Sequence, residues 1–249
     1  MPFANYPSMP KKKPVPVSHV KALAMNGEES ARAEEAQAAR REEAAARGEP
    51  VRAAAAGREV HLLLVVDASG SMGPYQHVVR EGLRRFLARL GPEIPYRITF
   101  AQFNRSTVAR CISSPLSSIF TQRAVNDYRA EGDTALWDAI VESLSLEEGP
   151  SPTLCLIASD GEDTHSQRAP ADARDAISRR RAQGNWTFLW LNMTGYRSAQ
   201  ADALGVEAMD LRREDIAAVL AGIAAKLGRA VARMKLEGAS RIPDLLRLE

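Results

Sequence analysis

The chain has 249 residues, 45% of them hydrophobic and 26% charged, which is room for one large domain or two small ones of ordinary globular composition. Its 33 basic and 31 acidic residues nearly cancel, and residues 58–249 carry 24 of each; that balance excludes a broad nucleic-acid surface, which needs a basic stripe to displace counterions. No run of about 20 apolar residues occurs, which excludes a helical membrane span, and Lys11-Lys12-Lys13 has no apolar stretch behind it, so no signal peptide is expected.

Residues 1–25 carry prolines at positions 2, 7, 10, 14 and 16 among scattered apolar residues and read as an extended arm. From Ser30 to Arg47 the composition favours a helix, supported by the Glu28–Arg32 and Glu43–Arg47 pairs. Alanine is its only apolar residue type, so it forms a solvated helix or spacer rather than a coiled-coil seam. Gly48 and Pro50 end it, with a domain boundary near residue 57. Strands and helices then alternate. An apolar strand over 60–66 precedes an amphipathic helix over 74–90, with Val78, Val79, Leu83, Phe86 and Leu90 at helical spacing. A strand over 96–103 turns tightly through Asn104-Arg105-Ser106 into Thr107 to Ile112, an antiparallel edge strand. Residues 115–131 read as irregular or weakly helical. A helix over 134–144, a strand over 153–159 and a helix over 168–183 follow, the last ending in Arg179-Arg180-Arg181, read as solvated. The strand over 186–192 is nearly all apolar. A short helix near 197–203, an edge strand over 206–209 and a long helix over 212–236 complete the domain. Residues 238–249 form an apolar tail with Ile242, Leu245, Leu246 and Leu248. Cys111 and Cys155 fall in predicted strands and read as reduced, buried thiols of a cytoplasmic protein.

This order predicts an α/β fold: a Rossmann-like, doubly wound, mainly parallel six-stranded sheet with one antiparallel edge strand and helices on both faces. The domain spans 58–237, between the arm of 1–57 and the tail. Ligands of such sheets sit at the carboxyl ends of strands where the strand order reverses. No GxGxxG or GxxxxGK[ST] loop and no HExxH occurs, and His19, His61, His77 and His165 are scattered, each reading as a structural or surface histidine. Ser69 lacks the GxSxG setting of a nucleophile. What the strand ends do offer is hard oxygen. The first strand ends in Asp67-Ala-Ser69-Gly-Ser71, the strand over 153–159 ends in Asp160-Gly161, and Thr134 opens a helix. Carboxylates and hydroxyls together suit Mg²⁺ or Mn²⁺ rather than a soft metal. Read alone, Asp67-Ser69-Ser71 fits a polar turn capping the next helix equally well.

The three segments together resemble the von Willebrand factor A domain and its metal-ion-dependent adhesion site. Asp67, Ser69 and Ser71 match the Asp-x-Ser-x-Ser motif, Thr134 in Gly-Asp-Thr-Ala-Leu the loop threonine, and Asp160 in Ser-Asp-Gly the second aspartate. Gly70-Ser71-Met72 and Trp137-Asp138-Ala139 resemble the stand-alone bacterial members. Asp133 departs from the small residue that many members carry. The resemblance implies that Ser69, Ser71 and Thr134 bind Mg²⁺ (or Mn²⁺ or Ca²⁺) through hydroxyls, with Asp67 and Asp160 acting mainly through bridging waters. An open position would take an Asp or Glu carboxylate of a protein partner, with Tyr75, His77, Asp133 and Glu162 at the rim. It further implies an adaptor in systems such as those with a MoxR-type AAA+ ATPase; with no catalytic base or nucleophile around the five residues the module reads as non-enzymatic, and charge and hydropathy point to no nucleic-acid or membrane partner. Two other classes stay open. One is a structural subunit of a larger assembly held by the arm. The other is a metal-dependent hydrolase, for which no second ligand cluster or general base is evident.

Overall fold

The computed structural model describes residues 59–92, 94–194, 199–243 and 245, all within the second of the chain's two units, Ala54–Glu249. The expected arm and helix of residues 1–57, and Leu246 and Leu248 of the tail, lie outside the described residues.

Six strands form one sheet: β1 (Val60–Asp67), β2 (Tyr96–Phe103), β3 (Thr107–Pro115), β4 (Thr153–Ser159), β5 (Trp186–Asn192) and β6 (Glu207–Asp210), in the order β3-β2-β1-β4-β5-β6. All neighbours run parallel except β2 and β3, which pair antiparallel at the edge. Strand order reverses between β1 and β4, which pair directly through His61↔Thr153 to Val66↔Ala158. Their carboxyl ends, where Asp67 and Asp160 emerge, therefore flank the switch point at which such sheets bind ligands.

Among the described residues the α-helices are α1 (Gln76–Arg89), α2 (Ile119–Asn126), α3 (Leu136–Ser145), α4 (Pro170–Ala182), α5 (Ala199–Leu204) and α6 (Ile216–Glu237). Alternation along β1 explains why both faces are covered. Val60, Leu62, Leu64 and Val66 join one core layer with α1, α2 and α6, and Leu63 and Val65 join the other with α3, α4 and α5. These β1 side chains are essentially fully buried, each contributing roughly 1.5–3 kcal/mol of apolar transfer. Gly82 lets α1 and α6 approach closely, since a Cβ there would stand 2.6 Å from Leu220 Cδ1.

Several segments depart from the sequence-based reading. The expected helix over 74–90 divides into a 3₁₀ segment, Gly70–Tyr75, containing Pro74, and α1. Pro74 lacks an N–H and is accommodated in that first segment. The edge strand runs on to Pro115 through two register shifts, with Ser113 at φ 44°. Within 115–131, expected to be irregular or weakly helical, lies the short helix α2, capped by the Ser118 side chain accepting from Phe120 N–H. The last helix begins at Ile216, not 212. The arginine run is not simply solvated: Arg180 lies over Trp186 at 5.0 Å and Arg181 over Phe188 at 5.4 Å, so two of the three cover the aromatic flank of β5. The tail returns to the body, where Ile242 and Leu245 are buried in the α1/α6 core layer and Thr187 Oγ1 donates to the Ile242 carbonyl at 2.6 Å.

Candidate metal centre

Asp67 is the last residue of β1 and is fully buried. The chain turns sharply after it, so its carboxylate meets the backbone that follows: Ser69 N–H donates to Oδ1 at 2.8 Å. From the neighbouring strand, Ser159 Oγ donates to Oδ2 at 2.7 Å and accepts from Gly161 N–H at 2.9 Å. The Ser69 and Ser71 hydroxyls stand 2.9 Å apart. Asp160 Oδ1 accepts from Glu162 N–H at 3.0 Å, in a turn where Gly161 adopts φ 85°. Burial pushes the Asp67 carboxyl up to about 6 against these hydrogen bonds, and the charge of Asp160 adds to the rise. No basic side chain pairs with Asp67 among the described residues.

Thr134 reaches the same end of the sheet from the loop before α3. That loop is stitched to the end of β1: Gly70 N–H donates to the Gly132 carbonyl at 2.8 Å and Glu131 N–H to the Ala68 carbonyl at 2.7 Å. Gly132, at φ 80°, makes the turn. Thr134 is buried, with its backbone N–H and carbonyl held by Thr164 and His165, while its hydroxyl makes no hydrogen bond within the described residues. The structure thus brings Asp67, Ser69 and Ser71 into one cluster with Asp160 beside it, and hangs Thr134 on a loop bonded to that cluster.

The rim residues differ among themselves. His77, Asp133 and Glu162 are exposed, whereas Tyr75 is half-buried and packs on the core. Asp133 pairs with Arg105 of the β2–β3 turn at 3.3 Å, both side chains more than half exposed. His61 is far from this end of the sheet; its Nδ1 lies 2.8 Å from Glu147 Oε2, which settles it as a structural histidine.

Sequence reasoning missed the supporting residues. Ser159 was visible only as a hydroxyl ending a buried strand. Tyr128, whose OH donates to the Asp67 carbonyl at 2.5 Å, gave no signal at all. Nor did Gln102 and Gln76, which hold the Arg129 carbonyl and the Ala130 N–H at 3.0 and 2.9 Å.

The donor set is that of a hard cation. Among the described residues no group of three or more His, Cys, Asp or Glu could hold a metal ion; here hydroxyls make up the number. A buried carboxylate without a countercharge, joined by two adjacent hydroxyls and a third that lacks a protein partner, fits a divalent ion bound by oxygen.

The sheet order and connectivity are those of a doubly wound α/β domain, the fold that von Willebrand factor A domains share. The chain belongs to the family described as VWA domain containing CoxE-like protein, which matches residues 30–220. Solved structures show the same fold. A von Willebrand factor type A protein from Catenulispora acidiphila aligns with TM-score 0.56 and 19% identity, covering 68% of this chain and 42% of that one. The vWF domain of the type V pili tip protein Mfa5 from Porphyromonas gingivalis aligns with TM-score 0.56 and 11% identity, covering 70% and 97%. The PilB minor pilin from Streptococcus sanguinis aligns with TM-score 0.52 and 11% identity, covering 70% and 61%. The chain therefore spans less than half of the Catenulispora protein. No curated protein matches the sequence.

Proposed function

We propose that the domain of residues 58–237 is a divalent-cation-dependent protein-binding module. Ser69, Ser71 and Thr134 would hold Mg²⁺, or Mn²⁺ or Ca²⁺, with Asp67 and Asp160 supplying its negative charge. Bound mostly by neutral hydroxyls, the ion keeps enough positive charge to accept a carboxylate from a partner's Asp or Glu. A cage of carboxylates would neutralise it. The observation that carries this reading is Asp67: fully buried, raised to about 6, and met only by N–H and O–H donors. A buried charge without a counterion is expensive, and a cation at this point removes the cost.

His77, Asp133 and Glu162, with the exposed edge of Tyr75, would form the partner surface. Family membership is the support for an adaptor role beside a MoxR-type AAA+ ATPase, and the proposed location is the cytoplasm. Among the described residues no helix is long and apolar enough to cross a membrane. The proposed role is binding rather than catalysis. The test is calorimetric titration of Mg²⁺ and Mn²⁺ into the wild-type chain and Asp67→Ala, followed by capture of partners with and without EDTA. Saturable heat in the wild type alone supports the site, and equal heats in both remove it.

A further inference from the structure

α3 begins without a cap of its own. Its N-cap position is Ala135, which has no side-chain acceptor, so the first N–H groups of the helix need partners from elsewhere. They find them about thirty residues downstream, in the loop that follows Asp160. Leu136 N–H donates to Asp163 Oδ1 at 2.9 Å, Trp137 N–H to Ser166 Oγ at 2.9 Å, and Ser166 Oγ in turn donates to Asp163 Oδ1 at 2.6 Å. The same loop grips Thr134 on both sides of its backbone. Thr134 N–H donates to Thr164 Oγ1 at 3.0 Å, and its carbonyl accepts from Thr164 and His165 N–H at 2.9 and 2.8 Å. Farther along, Gln167 and Arg168 N–H both donate to the Asp138 carboxylate, at 2.9 and 3.0 Å.

These bonds join two ligand-bearing segments that the sheet does not connect. Asp160 stands three residues before Asp163, and Thr134 two residues before Leu136. We infer that Asp163 is a positioning residue for the cation: with Ser166 it clasps the Asp160 loop to the start of α3, and so sets where Asp160 stands relative to Thr134. This inference rests on the proposed cation site. The Asp163 carboxylate acts without touching a ligand side chain, by holding the backbone of one ligand segment against the other. Partners that orient metal ligands in this way typically contribute about 10- to 100-fold to affinity.

A cap that served only α3 would affect stability and leave the cation alone, which decides the experiment. Mg²⁺ is titrated calorimetrically into the full chain as wild type, Asp163→Ala, Asp163→Asn, Ser166→Ala and Asp172→Ala, and apo thermal unfolding is measured for each. Asp172 caps α4 by accepting from Ala169 N–H at 2.8 Å, and it serves as a control for the loss of a helix cap alone. The expected result is an Mg²⁺ affinity about 10- to 100-fold weaker in Asp163→Ala and several-fold weaker in Ser166→Ala. Asp163→Asn, which keeps the Oδ1 acceptor, stays within about threefold of wild type, and Asp172→Ala binds as wild type despite a lower melting temperature. Wild-type affinity in both Asp163→Ala and Ser166→Ala overturns the positioning role. So does an equal loss in Asp172→Ala, because the effect is then one of general stability. Should Asp163→Ala not fold, Ser166→Ala, which removes a single hydroxyl, decides the matter in the same way. A wild-type chain that binds no Mg²⁺ instead overturns the cation site itself, and is read before any variant is compared.

Discussion

The sheet buries one carboxylate toward each of its ends, and the two are treated in opposite ways. Near the amino end of β1, Glu147 is buried with both its oxygens met from within the chain. His61 Nδ1 lies 2.8 Å from one oxygen, and the Thr99 hydroxyl donates to the other. The network continues outward, with Glu59 3.7 Å from His61 Nε2 and paired with Arg97 at 2.7 Å. At the carboxyl end, Asp67 is equally buried, but its contacts are Ser159, Ser69 and the like charge of Asp160. One pole is closed by side chains of the protein itself. The other has hydrogen bonds but lacks a positive charge, which is the condition in which an external cation binds.

Removing the hydrogen-bond partner at the closed pole should do the greatest damage. His61→Ala leaves one oxygen of the buried Glu147 without its partner, with an expected loss of about 3 kcal/mol in urea unfolding at pH 7. The matching change at the open pole goes the other way. Asp67→Asn removes a buried charge, so in EDTA the variant should be at least as stable as wild type while losing Mg²⁺ binding. A large loss of stability in Asp67→Asn, or none in His61→Ala, would break the contrast.

Acidity sharpens it further. The folded-state value of Asp67 is raised from 3.8 to about 6, so the native state holds this proton more tightly than the unfolded chain. The contribution to stability is full below about pH 4 and falls by about 3 kcal/mol as the pH rises through 6. Comparing wild type with Asp67→Asn in EDTA isolates this slope, which the variant should lack. Mg²⁺ competes with the same proton, so its affinity should weaken by up to about tenfold per pH unit below pH 6.

Loss of one hydroxyl at each end gives a smaller effect. Ser159→Ala takes a donor from Asp67 and should reduce apo stability at pH 7 by about 1–3 kcal/mol, most of it recovered with saturating Mg²⁺. Thr99→Val should reduce stability comparably with no recovery, because Glu147 is not reached by the cation. Smallest of all is the exposed Arg105–Asp133 pair: Arg105→Ala should shift stability by less than about 1 kcal/mol. A larger shift would mean that the rim bears on the closure of the site.

Much of this architecture was legible in the sequence because the central strands are buried on both faces and therefore continuously apolar. The ranges 96–103, 153–159 and 186–192 coincide with β2, β4 and β5, and β1 adds only Asp67 to the expected run. The five candidate residues could be singled out in the sequence because each stands at or beside the end of a regular element. Less visible were features whose cause lies far away in the chain. The edge strand continues past Ile112 by bulging, which leaves no alternation to read. α2 is a two-turn helix held by packing rather than propensity. The Asp67 carbonyl is met by Tyr128, sixty-one residues later, and α3 is capped by Asp163 and Ser166 rather than by its own first residues. Arg180 and Arg181 look solvated in a count of charges but lie on aromatic faces, because the turn after α4 folds the next strand, only six and seven residues on, back beneath them.

The central claim is that Asp67 takes its countercharge from a cation outside the chain. It is tested most directly by thermal unfolding at pH 7.5 of wild type and Asp67→Asn, each in EDTA and in excess Mg²⁺. A ligand at about 100 times its dissociation constant stabilises by about 2.7 kcal/mol, so the wild-type melting temperature should rise by several degrees in Mg²⁺ while Asp67→Asn stays unchanged. Equal shifts in the two proteins, or no shift in the wild type, would contradict the account.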